Sequence, residues 1–222
     1  MLNFELYNPV RIIFGPGEAE NIGKYTKEYG TKAMLVTYDV HDFFNELLAK
    51  LDKSFKDAGV TVTEFFKVKP NPRLSDIEEA IDICRKEGIE VIVALGGGSV
   101  MDSAKAIGAG VKYDGDPWKM FVSRHDKAVA VPPTDTLPTI MIPTKSATSS
   151  ETNNVAVATN DRTHEKAYIW APVLYPKICV MDPCVTATLP KFPMAAGAVD
   201  AMSHVLEAYL NGDQNSPVQD RC

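Results

Sequence analysis

Long hydrophobic runs are missing from this 222-residue chain, and no apolar stretch approaches the length that spans a bilayer. Basic charge is also in short supply. Lys and Arg number 23 against 29 Asp and Glu, giving a formal net charge of −6 and a pI near 5.3. That balance argues against a nucleic-acid partner or an anionic membrane surface. Cysteine is scarce: Cys84, Cys179, Cys184 and Cys222, with no CxxC pair, too few for a disulfide scaffold. Cys179 and Cys184 flank a predicted strand end, but reduced and mostly buried thiols are a better reading than a soft-metal site. The opening MLNFELYNPVRIIFG has no basic region followed by an apolar core, so a signal peptide is not expected and the cytoplasm is. What remains is 45% hydrophobic and 23% charged, with a mean hydropathy of −0.11, an ordinary globular composition.

Along the chain, AMLVTY (33–38), VTVTEFF (60–66) and IEVIVAL (89–95) read as strands. The last looks buried on both faces, as strands of a parallel sheet do. Between them, 42–58 repeats Phe43, Phe44, Leu47, Leu48, Leu51 and Phe55 at helical spacing, with Asp42 as N-cap and Gly59 as stop. Residues 74–88 read as a second helix with Ser75 as cap and Gly88 as stop, and a third follows a glycine cluster. This alternation predicts an α/β fold: a doubly wound, mostly parallel, Rossmann-like sheet. Beyond residue 120 come the short strands 138–143, 154–159, 166–171 and 178–183. Prolines at 172, 176, 183, 190 and 193 then crowd a junction before a helical segment from about residue 186. The expected organisation is an α/β domain over 1–185 and the first part of a helical domain over 186–222.

The sharpest local signal is LGGGSVMDSAK, 95–105. Three glycines where a buried strand meets a helix let backbone approach a ligand closely. The free amides and positive helix end favour a phosphate there. Gly97, Gly98 and Ser99 are the candidate phosphate contacts, and Asp102 is placed in the first helical turn. The stretch is neither GxGxxG nor GxxxxGK[ST], and a tight turn without a ligand is the alternative. PTKSATSSETNN, 143–154, is crowded with hydroxyls suited to a ribose, a nicotinamide amide or phosphates, and is as readily a solvated turn.

In GAVDAMSHVLEAY, 197–209, Asp200 and His204 fall one helical turn apart on one face. A carboxylate and an imidazole suit Fe(II) or Zn(II), although two protein ligands hold such ions weakly. A hydrogen bond satisfying a partly buried face is the simpler reading of the spacing alone.

Taken together, these stretches resemble the iron-containing (group III) alcohol dehydrogenase family, above all its butanol dehydrogenase and aldehyde reductase branch, a fold shared with dehydroquinate synthase. LGGGSVMDSAKAIG follows the family's glycine signature, PTKSATSSE its proline–threonine segment, and GAVDAMSHVLEAY its metal-binding helix. PNP (70–72), DPW (116–118) and DP (182–183) also fit. The resemblance implies reversible hydride transfer between NAD(P)(H) and a primary alcohol or aldehyde, with Fe(II) or Zn(II) as Lewis acid. It makes Asp200 and His204 metal ligands, and gives the cofactor to Gly97, Gly98, Ser99 and Thr144 with Asn71 and Lys166. Lys145 and Ala147 stand where the family has threonine and glycine; Lys145 would lie near the cofactor, binding phosphate or crowding the ring. Where the NADPH-preferring branch is glycine-rich, this chain has VTYDVHD. An acidic Asp39 there bonds the ribose 2′-hydroxyl and repels a 2′-phosphate, so NAD(H) is expected over NADP(H).

Family members are longer and carry two further ligand histidines in the helical domain; His41, His125 and His164 do not match them. The chain therefore reads as truncated just after that domain begins: a fragment, a natural truncation, or half of a site completed by another polypeptide. Alternatives are a nucleotide-binding chain without activity, a dehydroquinate synthase or glycerol dehydrogenase relative, which the later motifs fit less well, and a structural role without cofactor. The apolar start of the helical segment predicts a homodimer or larger assembly.

Overall fold

The computed structural model describes residues 5, 7–39, 42–123, 130–187 and 189–211. Its elements run β1 (Arg11–Phe14), α1 (Ile22–Lys27), β2 (Lys32–Tyr38), α2 (Asn45–Ala58), β3 (Thr61–Val68), α3 (Leu74–Glu87), β4 (Val91–Gly96), α4 (Gly98–Lys112), β5 (Thr139–Pro143), β6 (Val155–Asn160), β7 (Glu165–Trp170), β8 (Ile178–Met181), α5 (Pro183–Thr186) and α6 (Lys191–Asn211). Six strands form one wholly parallel sheet in the order β1-β8-β5-β4-β2-β3. The doubly wound α/β expectation holds.

β4 shows why the sheet is buried on both sides. All six of its residues are buried. Ile92 and Ala94 join the core shared with α3 and α4, while Val91, Val93 and Leu95 join the opposite core with Ile22, Leu51 and Phe55. A strand pointing alternately into two apolar layers has to be apolar throughout. From β2 the chain steps outward to β3, returns to β4 beside β2, and then continues the other way to β5 and β8. The order thus reverses between β2 and β4, where α/β sheets open a crevice at their carboxyl edge.

Several local expectations shift. β1 is an exposed edge strand paired only with β8, without the burial pattern that reveals strands. Asp42 opens a 3-10 turn (Asp42–Phe44) rather than capping α2, whose N-cap is Phe44. Ser75 sits inside α3; the cap acceptor is supplied from afar, by Asp161 Oδ1 at 3.2 Å from the Ser75 amide. Gly59 and Gly88 do end their helices in left-handed backbone, at φ 69° and 68°. β6 and β7 pair as a separate antiparallel ribbon outside the main sheet. Of the cysteines, Cys84 and Cys179 are buried, Cys184 is exposed, and Cys222 lies outside the described residues.

The DP and DPW motifs have a shared physical use. Asp116 and Asp182 are N-caps that each accept a hydrogen bond from the amide two residues on, with proline at the first helical position. Asp182 does more: its other oxygen accepts from the Ala19 amide at 3.1 Å, and the residue is 3% exposed. It therefore ties the turn after β1 to the end of β8. Asp182→Ala should lower stability by about 3 kcal/mol, because it strands two amides, one of them buried. The urea midpoint reads this directly, and a loss below roughly 1 kcal/mol would mean that both amides find other acceptors.

Among the described residues no helix is long and apolar enough to cross a membrane.

Candidate nucleotide site and Asp–His pair

The crevice between β2 and β4 is built from the glycine stretch upward. Gly96 ends β4, Gly97 is the N-cap of α4 without a side-chain cap, and α4 starts at Gly98. The Val100 and Met101 amides both donate to the Gly97 carbonyl, at 3.0 and 3.1 Å, which leaves the Gly98 and Ser99 amides without a partner among the described residues, a ready anion site. Glycine allows two close side-chain approaches here. A Cβ on Gly97 would meet the Tyr38 hydroxyl at 2.9 Å, and one on Gly98 would meet Thr148 Oγ1 at 3.1 Å. Tyr38, the last residue of β2, accepts a hydrogen bond from the Gly97 amide at 3.0 Å. Burial raises its phenol pKa against the lowering effect of that bond, so the hydroxyl keeps its proton.

Asn71 follows β3 in left-handed backbone at φ 61°. Its amide donates to Ser99 Oγ at 3.3 Å, and its Oδ1 accepts from Lys166 Nζ at 3.1 Å. The ribbon β6–β7 thus delivers Lys166 to the α4 N-terminus. Asn71 and Lys166 line a cleft of about 540 Å³. Thr144 is buried and continues the β4–β5 pairing, its amide donating to the Gly96 carbonyl at 3.1 Å. With Lys145, Tyr38 and Phe44 it lines a second cleft, of about 430 Å³ and mostly apolar. Asp39 is exposed one residue past Tyr38, its amide held by the Val68 carbonyl at 3.1 Å. Gly97, Gly98, Ser99, Asn71, Thr144, Lys145 and Lys166, with Asp39 beside them, are thus distributed around one sheet edge.

Asp102 departs from its expected place. No acidic residue lies in the first turn of α4, and Asp102 turns inward. Its Oδ1 accepts from Ser150 Oγ at 2.6 Å and its Oδ2 from the Val157 amide at 3.0 Å. Both oxygens are committed to protein donors, so Asp102 fastens β6 to α4 instead of reaching the crevice. Burial raises its pKa against those bonds. The hydroxyl-rich stretch 143–154 is likewise not a plain solvated turn, since Ser150 is buried and bonded inward.

Sequence reasoning passed over Tyr38 and Lys105. Lys105 is 0% exposed, and burial pushes its pKa down to about 8 against the attraction of Asp102 and Glu151. Its signal was present: a lysine three residues after Asp102, between two alanines, in the middle of a mostly apolar helix. Tyr38 carried none, because an aromatic at a strand end is ordinary.

Asp200 and His204 lie on α6, with His204 Nε2 3.8 Å from Asp200 Oδ1 and side chains 54% and 46% exposed. Gly197 seats this helix: a Cβ there would lie 2.5 Å from the Ser146 carbonyl oxygen and 2.6 Å from Lys145 Cε. Positions 197, 200 and 204 share a helical face, so the pair continues the face that α6 applies to the 145–146 stretch. Carboxylate and imidazole fit a borderline divalent ion as two ligands of a larger set. Among the described residues no three His, Cys, Asp or Glu side chains cluster, and His41 and His125 lie outside those residues. The remainder of α6 exposes Phe192, Val199, Met202, Leu206, Tyr209 and Leu210.

A family model for iron-containing alcohol dehydrogenases matches residues 9–183. A probable NADH-dependent butanol dehydrogenase of Bacillus subtilis is 41% identical over all of this chain and 56% of its own length. The NADH-dependent butanol dehydrogenase A of Clostridium acetobutylicum is 37% identical over 99% of this chain and 55% of its own. The crystal structure of an NADH-dependent butanol dehydrogenase from Thermotoga maritima superimposes with a TM-score of 0.87 at 39% identity, covering 99% of this chain and 54% of that one. The chain thus spans about half the length of these relatives.

Proposed function

The chain belongs to the iron-containing alcohol dehydrogenase family, and from that premise we propose that it holds NAD(H), in preference to NADP(H), for hydride exchange with a small primary alcohol or aldehyde. The observation that carries this reading is the glycine turn at the β2/β4 crevice, with Asn71 and Lys166 brought to the same α4 N-terminus. The unpartnered amides of Gly98 and Ser99 would face the pyrophosphate, and Lys166 would add a positive charge beside it. Tyr38 holds the Gly97 peptide in place through its hydroxyl oxygen. Asp39 would accept from the ribose 2′-hydroxyl. Thr144 and Lys145 wall the apolar cleft next to it. Asp200 and His204 would hold Fe(II) or Zn(II). When bound, the nicotinamide supplies or accepts the hydride, and the metal supplies Lewis acidity at the substrate oxygen. The apolar face of α6 is of the kind that further polypeptide covers, and a homodimer is the assembly proposed.

A second reading, a nucleotide-binding chain without turnover of its own, is favoured by one observation. Asp200 and His204 gain no third ligand from the described residues. Two measurements on the purified, untagged chain test both readings. Saturable quenching of protein fluorescence by NADH is expected, and none up to millimolar NADH would end the nucleotide reading. About one Fe or Zn per chain would support the dehydrogenase reading, whereas a metal content near zero would leave only the nucleotide-binding one.

A further inference from the structure

Lys105 takes no part in the chemistry proposed above, yet it is the best-connected buried cation described. Its Nζ donates to Ser150 Oγ at 3.0 Å, Asn153 Oδ1 at 2.9 Å and the Val155 carbonyl at 2.8 Å. All three acceptors belong to the stretch that leads into β6. Asn153 passes the tie onward: its Nδ2 donates to the Thr148 carbonyl at 3.3 Å. Thr148 in turn rests against Gly98, in the position a Cβ would contest. An unbroken series of bonds and one contact therefore runs from a buried ammonium to the first residue of α4.

An apolar side chain of the same length would fill this space without the desolvation of a charge. What a compact ammonium adds is three donors from one point, and here they gather three acceptors spread over residues 150–155. We propose that Lys105 is a positioning residue for the nucleotide: it clamps residues 148–155 onto α4 and thereby sets Thr148 against the glycine turn that receives the phosphates. This rests on the nucleotide reading of that turn.

The clamp carries a pH signature. The charged groups acting on Lys105 are Asp102, from its own helix, and Glu151, from the clamped stretch; α3, β2, β3, β4, β5 and β6, the elements packed against α4, bring none that acts on it among the described residues. Asp102 itself also feels Lys166. Below its pKa the ammonium serves all three acceptors. Above it, the amine has two hydrogens and turns a lone pair toward an acceptor oxygen. Ser150 cannot answer with a proton, because its hydroxyl already donates to Asp102. With the Lys105 pKa pushed down to about 8, NADH affinity should weaken as pH rises through that value.

The test pairs NADH titration between pH 7 and 9.5 with amide hydrogen exchange, on wild type, Lys105→Met and Asn153→Ala. Asn153→Ala leaves the buried charge with two of its partners and is the milder variant should Lys105→Met fold poorly. Wild type is expected to lose about threefold in affinity across the pH range. Lys105→Met should bind NADH about tenfold more weakly at pH 7, with no pH step, and Asn153→Ala should weaken it severalfold. Residues 148–155 should exchange faster in both variants without ligand. Faster exchange with unchanged NADH affinity would overturn the positioning role, as would unchanged exchange. A wild-type chain that never binds NADH overturns the nucleotide reading itself and the role with it. Binding by wild type that both variants share equally overturns the inference alone.

Discussion

Replacing Gly23 by alanine is expected to destabilise the fold by about 3 kcal/mol or more, among the largest effects of any single methyl group in the chain. Gly23 lies in α1 where that helix crosses α2. A Cβ there would sit 2.0 Å from the Ser54 carbonyl oxygen and 2.5 Å from its carbon. Both are backbone atoms of a continuous helix, so no rotamer change relieves the clash and the two helices have to separate. Separation would break the 3.0 Å bond from the Gly23 amide to Ser54 Oγ. It would also open the layer in which Ile22, Leu51 and Phe55 are 0%, 0% and 1% exposed. Against a total stability of roughly 5–15 kcal/mol, this is a substantial share. Ser54→Ala is the control: it removes the hydroxyl but leaves the backbone approach, and should cost only about 1 kcal/mol. Urea unfolding with an unchanged slope reads both. Equal losses would mean that the hydrogen bond, not the close approach, decides.

Gly23 also illustrates what could be read from the amino-acid sequence and what could not. Nothing around IGKYTK marks a helix crossing, because close approach depends on which helices the sheet brings together. The sheet itself was legible, since a strand buried on both faces has to be apolar throughout, and Val91–Leu95 of IEVIVAL are five consecutive buried apolar residues. The glycine turn was legible for a related reason: glycines between a buried strand and a helix exclude most uses other than a close approach. β1 was not, because an exposed edge strand carries no alternation. The caps failed where the acceptor came from elsewhere, as with Asp161 serving the Ser75 amide from 86 residues away. Asp102 failed in a more instructive way. Its spacing placed it one residue outside the first turn, and its charge, which suited a helix dipole, was already matched by Ser150, the Val157 amide and the nearby Lys105. Composition told that a carboxylate was present; only the packing of β6 told which way it faced.

Asp39→Gly should move the preference between NADPH and NADH by about a hundredfold toward NADPH, since juxtaposing like charges is heavily penalised. Asp39 is fixed at the carboxyl edge by its amide, one residue beyond the tyrosine that meets the glycine turn. A ribose lying there would offer its 2′-hydroxyl to the carboxylate, and a 2′-phosphate would bring two negative groups together. Two contributions are mixed in this position, and Asp39→Asn separates them: it keeps an acceptor for the hydroxyl and removes only the charge. If repulsion dominates, Asn should recover most of the NADPH gain while NADH affinity falls little. Exposed charges are screened by salt, so wild-type discrimination should also narrow between 0.05 and 0.5 M KCl, roughly one Debye regime to the next. Lys145 sharpens the outcome. Its side chain lines the cleft that Tyr38 and Thr144 share, and an ammonium there attracts a phosphate that Asp39 repels. In wild type the carboxylate is expected to prevail; once it is gone, Lys145 is left as the charge nearest that cleft, and the preference should invert rather than merely disappear. Fluorescence titration of both nucleotides against wild type, Asp39→Gly, Asp39→Asn and Asp39→Gly/Lys145→Thr decides this. A ratio within twofold of wild type in both single variants would remove Asp39 as the discriminator. Inversion in Asp39→Gly that is lost in the double variant would show that two opposed charges, one residue past β2 and two past β5, set the choice of nucleotide.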